Sequence, residues 1–155
     1  MQRMASGNKA PPAVLVVDDD PDLVDLLSRF LSRQGMKILV ASNGPQCLEI
    51  VQSSPSIDVI VLDIMMPGMD GLQVCAALKE IESARTIPII LLTARDDVET
   101  RIAGVELGVS EFIIKPASGR DLVARIQTQV EASRKARIME QTPNSSPALE
   151  STTKP

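Results

Sequence analysis

Short apolar runs alternate with helical segments along most of this chain, and this alternation constrains the fold more than any other feature. The first run, AVLVV at residues 13–17, is continuously apolar, which is typical of a strand buried on both faces of a sheet. The strands are predicted at residues 13–17, 36–42, 57–63, 87–93 and 111–115, and the helices at 21–35, 44–54, 71–83, 96–108 and 118–141. Strict alternation of this kind predicts an α/β fold, with a parallel five-stranded sheet and five helices covering both its faces.

Polar residues stand where the predicted strands end. In open parallel sheets, ligands bind beyond the carboxyl ends of the strands, at a switch in strand order. The polar residues at these ends are Asp18, Asp19, Asp20, Asp63, Thr93 and Lys115. The fold would therefore gather several acids, a hydroxyl and an ammonium at one edge of the sheet.

This set of side chains indicates phosphoryl chemistry. Clustered carboxylates need a counter-charge, and a site with oxygen ligands and room for water suits Mg²⁺. Lys115 and Thr93 can bind phosphoryl oxygens, the first as a point charge and the second as a hydrogen-bond donor. The chain has no histidine, which removes a histidine triad, a histidine metal site and a histidine phosphocarrier. A carboxylate is already ionised at neutral pH, so it can act as the nucleophile without a general base.

Four motifs carry a resemblance to a known family. LVVDDD, VLDIMMPGMDG, LLTAR and FIIKP, in this order and spacing, resemble the receiver domain of bacterial two-component response regulators over about residues 13 to 133. The resemblance implies a flavodoxin-like doubly wound sheet with strand order 2-1-3-4-5. It also implies a partner sensor histidine kinase or phosphotransfer protein as the phosphoryl donor, and an output domain or protein that the sequence does not identify.

The resemblance also implies a role for each matching residue. Asp63 would accept the phosphoryl group. Asp18, Asp19, Asp63 and the Met65 backbone carbonyl would hold Mg²⁺, with Asp18 acting largely through water. Thr93 and Lys115 would contact the phosphoryl oxygens, and Phe112 falls at the family's aromatic switch position. The bond between Lys115 and the proline after it would be cis.

Some of these residues have plainer interpretations. Asp20 precedes a proline and a helix, so capping of that helix is favoured over metal binding. Phe112 could equally be a half-buried core residue without a switch role. Asp18 and Asp20 also form an Asp-x-Asp pair that resembles the first motif of haloacid dehalogenase-type phosphatases, with Asp18 as nucleophile. A receiver that only binds partners is a third alternative.

Composition and the chain ends bound the remaining predictions. The net charge of −4 argues against direct nucleic-acid binding by this segment, and no stretch has the length of a membrane span. Cys47 and Cys75 are expected to be buried thiols of a cytoplasmic protein. A flexible arm is predicted over residues 1–12, a receiver domain over 13–133, and a helical extension with a disordered tail over 134–155. The extension would be a connector, a homodimerisation helix or a frayed end.

Overall fold

The computed structural model describes residues 10–54, 56–94, 97–116 and 118–141, with side chains to residue 138. Within these residues it contains the five strands and five helices in the predicted alternation. The strands are β1 (Ala13–Val17), β2 (Lys37–Ala41), β3 (Val59–Asp63), β4 (Ile89–Thr93) and β5 (Glu111–Ile114). The helices are α1 (Pro21–Arg33), α2 (Gly44–Ser53), α3 (Gly71–Lys79), α4 (Val98–Glu106) and α5 (Gly119–Gln141).

All five strands pair in parallel, in the order β2-β1-β3-β4-β5, which confirms the predicted fold class. The strand order reverses direction at β1, so a crevice opens between the carboxyl ends of β1 and β3. The register aligns these ends closely: Val17 pairs with Leu62, and Asp63 pairs with Leu92. The residues that follow β1 and β3 therefore come together without any distortion of the sheet.

Aliphatic side chains form a core on each face of the sheet. One cluster contains Leu15, Leu62 and Leu91, and the other contains side chains such as Val16 and Val61. Every residue of β1, β3 and β4 is buried. This explains the continuous apolar runs, because a strand covered on both faces has no solvent-facing position to alternate with.

Local hydrogen bonds set where the helices begin and end. The Asp20 carboxylate accepts hydrogen bonds from two backbone N–H groups in the first turn of α1, which confirms the predicted cap. Asp70 caps α3 in a reciprocal capping box. α3 ends at Lys79, four residues earlier than predicted, because the Glu80 N–H bonds to carbonyls of the last turn and tightens it.

The second half of α5 is fixed to the opposite end of the sheet from the acidic residues. Arg134 and Arg137 donate hydrogen bonds to the buried Asp58 carboxylate, at 3.0 Å and 3.2 Å. Arg134 also donates to the Ala10 carbonyl, 2.9 Å away. The arm predicted over residues 1–12 and the tail over 142–155 lie outside the described residues, except for residues 10–12. None of the helices described here is long and apolar enough to cross a membrane.

Candidate functional site

Three carboxylates meet at the crevice between β1 and β3. Oxygen atoms of Asp18, Asp19 and Asp63 all lie within 4.8 Å of one another. Asp18 and Asp63 are 3% exposed, whereas Asp19 faces solvent. The backbone places them, because each follows or ends a strand that is buried along its whole length. The three carboxylates that were predicted as metal ligands thus come together in space from two separate segments.

Lys115 brings a positive charge from the far edge of the sheet into this cluster. Its Nζ atom lies 3.0 Å from Asp63 Oδ1 and donates a hydrogen bond to Asp18 Oδ2, 3.2 Å away. The contact with Asp63 is an ion pair without good hydrogen-bond geometry, since Oδ1 accepts no hydrogen bond among the described residues. The peptide bond between Lys115 and Pro116 is cis, as the resemblance implied.

Burial and neighbouring charges shift the pKa values of Asp63 and Lys115, the two partners of this ion pair. Burial raises the pKa of the Asp63 carboxyl above its usual value, the Asp18 charge raises it further, and Lys115 opposes both. Burial alone would lower the pKa of Lys115, but Asp63 and Asp18 together raise it. Three carboxylates against one ammonium leave about two uncompensated negative charges when all are ionised.

This donor set fits a divalent cation. Carboxylate oxygens are the ligands that Mg²⁺ prefers, and a charge of +2 neutralises the excess of the cluster. The buried Asp63 Oδ1 has the Lys115 ammonium 3.0 Å away but accepts no hydrogen bond from the part of the chain that the structure describes, so its lone pairs can still coordinate a cation. Asp20 does not join the cluster, because its carboxylate is engaged in capping α1.

Thr93 and Met65 flank the carboxylates. Thr93 is fully buried at the end of β4, next to the strand that carries Asp63, and its backbone carbonyl accepts a hydrogen bond from the Lys115 N–H at 2.7 Å. Met65 lies two residues past Asp63, with 52% of its surface exposed. Its backbone N–H contacts the Asp63 carboxylate and lowers the pKa of that group, against the larger effect of burial.

Phe112 is half-buried and lies against Gly104 of α4. It pairs with Leu91 in the β4–β5 register, two positions before the pair formed by Thr93 and Ile114. Sequence reasoning missed what surrounds the ring, namely Gly104 beneath it and Arg101 over its face. Nothing in a short helical segment indicates which residue will meet a strand that is adjacent only in space.

Comparisons with known proteins show which family the chain resembles. The family model described as "Response regulator receiver domain" matches residues 14–127. The probable transcriptional regulator ycf27 of Cyanidium caldarium is 43% identical over 78% of this chain and 47% of its own length. The transcriptional regulatory protein CpxR of Klebsiella pneumoniae is 38% identical over 88% of this chain and 57% of its own length. The chain thus spans about half the length of the curated relatives it matches.

Solved structures show the same architecture. The chemotaxis protein CheY4 of Vibrio cholerae superimposes with a TM-score of 0.73 at 28% identity, covering 77% of this chain and 98% of that one. The matching family model describes a signalling domain. The chain belongs to the response regulator receiver family, whose members are the phosphorylation-dependent switches of two-component systems. The family match favours this interpretation over the phosphatase alternative.

Proposed function

We propose that Asp63 accepts a phosphoryl group from a phosphohistidine on a sensor histidine kinase or phosphotransfer protein. An Asp63 carboxylate oxygen attacks phosphorus, and the bond from phosphorus to the imidazole nitrogen breaks. The other ring nitrogen carries a proton in the donor, so the leaving group is a neutral imidazole. The observation that carries the proposal is the contact of Lys115 Nζ with both Asp63 and Asp18, at 3.0 and 3.2 Å. Lys115 favours the ionised nucleophile and stands beside the position where phosphoryl oxygens would arrive.

Asp18, Asp19, Asp63 and the Met65 carbonyl are proposed to hold Mg²⁺. The cation, when bound, would neutralise charge on the phosphoryl oxygens during transfer. Thr93 is proposed to donate a hydrogen bond to a phosphoryl oxygen, since Thr93 ends β4, the strand next to the one that carries Asp63. Movement of Thr93 toward that oxygen would then change the packing around Phe112 and alter how partners bind.

Acetyl phosphate tests the acceptor directly. We expect the wild-type protein, incubated with Mg²⁺ and acetyl phosphate, to gain one phosphoryl group by intact mass spectrometry. Asp63→Asn should gain none, and addition of EDTA should prevent the gain in the wild type. Asp25→Asn is the matched control, because Asp25 is an exposed acid on α1 that pairs with Arg29 one helical turn away.

Two results would contradict the proposal. The first is an unmodified wild-type protein under these conditions, and the second is equal modification of wild type and Asp63→Asn. The phosphatase alternative makes a different prediction: steady hydrolysis of a phosphoester that survives Asp63→Ala but is lost in Asp18→Asn.

Light scattering with and without a beryllofluoride mimic then measures whether phosphorylation drives self-association as a homodimer.

A further inference from the structure

The Phe112 ring occupies a space on α4 that only a glycine leaves open. A Cβ atom placed on Gly104 would lie 2.6 Å from Phe112 Cε1 and closer still to Cζ, shorter than real Cβ contacts allow. The same position is 3.5 Å from Leu91 Cδ1, an ordinary contact distance. The tip of the ring therefore rests directly on the helix backbone, where any other residue would place its side chain.

Arg101 closes this space from the solvent side. It lies one helical turn before Gly104, and its guanidinium carbon is 5.5 Å from the centroid of the Phe112 ring. That distance falls within the range of a cation–π contact. We call the space bounded by Leu91, Arg101 and Gly104 the ring notch.

The ring notch is continuous with the proposed phosphorylation site. Leu91 packs in one core cluster and Leu92 in the other, so alternation places Thr93 on the same face of the sheet as Leu91. Phe112 packs against that same cluster from the neighbouring strand. Thr93 and Phe112 thus lie on one face, two residues apart across the β4–β5 pair, and a shift of Thr93 changes the packing beside the ring.

We propose that the ring notch is a positioning device for Phe112. It sets the fraction of molecules in which the Phe112 ring lies inward, against Gly104 and Leu91. Gly104 and Arg101 are then positioning residues for the response to phosphorylation, and in this respect the inference rests on the proposed function of Thr93 and Asp63. A methyl group at position 104 meets the far end of a side chain rather than backbone, so the ring is the part that moves. Overpacking of this kind lowers the equilibrium ratio of inward to outward rings by about 5- to 150-fold.

The composition of the chain makes the ring directly observable. Phe30 and Phe112 are its two phenylalanines, and it has no tyrosine or tryptophan. A spectrum of ring-labelled protein therefore contains two ring systems, which Phe30→Leu assigns. In the wild type we expect nuclear Overhauser contacts from the Phe112 ring to the Leu91 methyl groups. In Gly104→Ala we expect these contacts to be lost.

A second glycine provides the matched control. A Cβ atom on Gly119 would lie 2.7 Å from Cε2 of Phe30, so Gly119→Ala should displace Phe30 and leave the Phe112 signals unchanged. Arg101→Ala keeps the glycine and removes the guanidinium, and it should weaken the contacts between the ring and Leu91 without abolishing them. This variant also gives an independent result if Gly104→Ala fails to fold.

The response to a phosphoryl mimic completes the test. With Mg²⁺ and beryllofluoride, we expect the ring of the wild type to stay in contact with Leu91, and that of Gly104→Ala to remain outward. Gly104→Ala should still gain a phosphoryl group from acetyl phosphate by mass spectrometry. Undiminished ring contacts in Gly104→Ala, or equal changes of the Phe112 signals in Gly119→Ala, would overturn the inference. A wild type that takes no phosphoryl group counts against the proposed function and leaves the ring contacts as a separate result.

Discussion

Replacement of Asp58 by asparagine should destabilise the protein substantially, although Asp58 lies at the opposite end of the sheet from the acidic pocket. The side chain is 8% exposed and accepts hydrogen bonds from the Ala13 N–H at 2.9 Å and from two arginines. Arg134 contributes two contacts, at 3.0 and 3.3 Å, and Arg137 contributes one at 3.2 Å. The carboxylate thereby joins the start of β1, the start of β3 and the second half of α5.

The expected magnitude follows from these contacts. Removing one partner of a buried ion pair costs about 3–5 kcal/mol. Arg134 is 21% exposed and Arg137 is 49% exposed, so water recovers part of that loss. Asparagine also retains an acceptor for the Ala13 N–H. We therefore expect Asp58→Asn to lower the free energy of unfolding by about 2–3 kcal/mol. For a domain of this size, the melting temperature should fall by about 6–12 °C.

The pH dependence gives this prediction a second, independent part. Burial would raise the pKa of Asp58, but the hydrogen bonds from Arg134, Ala13 and Arg137 outweigh it and lower the pKa below its ordinary value of 3.8. Because the folded-state pKa is the lower one, the carboxylate stabilises the protein fully above the unfolded value. This contribution is lost as the pH falls through the folded pKa. The difference between wild type and Asp58→Asn should be constant from about pH 5 to 8 and shrink below about pH 4.

Urea unfolding followed by far-UV circular dichroism at several pH values is the assay. Asp25→Asn, which breaks an exposed pair with Arg29, should change the free energy of unfolding by no more than about 0.5 kcal/mol. The reasoning fails if Asp58→Asn unfolds like this control at pH 7, or if its deficit does not diminish in acid. The same experiment tests the domain boundary proposed at residue 133, because Arg134 and Arg137 both lie beyond it.

Three further predictions concern single side chains. Asp19→Asn should weaken Mg²⁺ binding by calorimetry, whereas Asp20→Asn should leave it unchanged, because Asp20 caps α1; equal losses would refute the distinction. Asp70→Ala should lower the free energy of unfolding by about 1 kcal/mol through loss of the capping box, and an unchanged urea midpoint would refute it. Burial raises the pKa of both Cys47 and Cys75 to about 12, so neither thiol should react with Ellman's reagent at pH 8 until urea unfolds the protein; fast labelling of the native protein would refute it.

Much of the site could be predicted because parallel sheets bring the carboxyl ends of their strands together. Asp18 and Asp63 lie in different segments, but each is attached to a strand whose continuous apolar sequence predicts that the strand is buried. Asp20 was also predictable, since a cap depends on the residues directly after it. The C-terminal end of α3 was less predictable, because a last turn tightens or extends through individual hydrogen bonds.

The sequence alone determined the sheet, its two aliphatic faces and the gathering of acids beyond β1 and β3, because these depend on periodicity and on chain order. Tertiary structure decided the contacts between elements that are distant in the chain. Arg134 of α5 bonds to Asp58 across 76 residues. Nothing in the sequence distinguished Gly104 from other helical residues, and only the fold shows that Phe112 packs against it. Such contacts depend on which face of a helix meets which strand, and periodicity does not encode that.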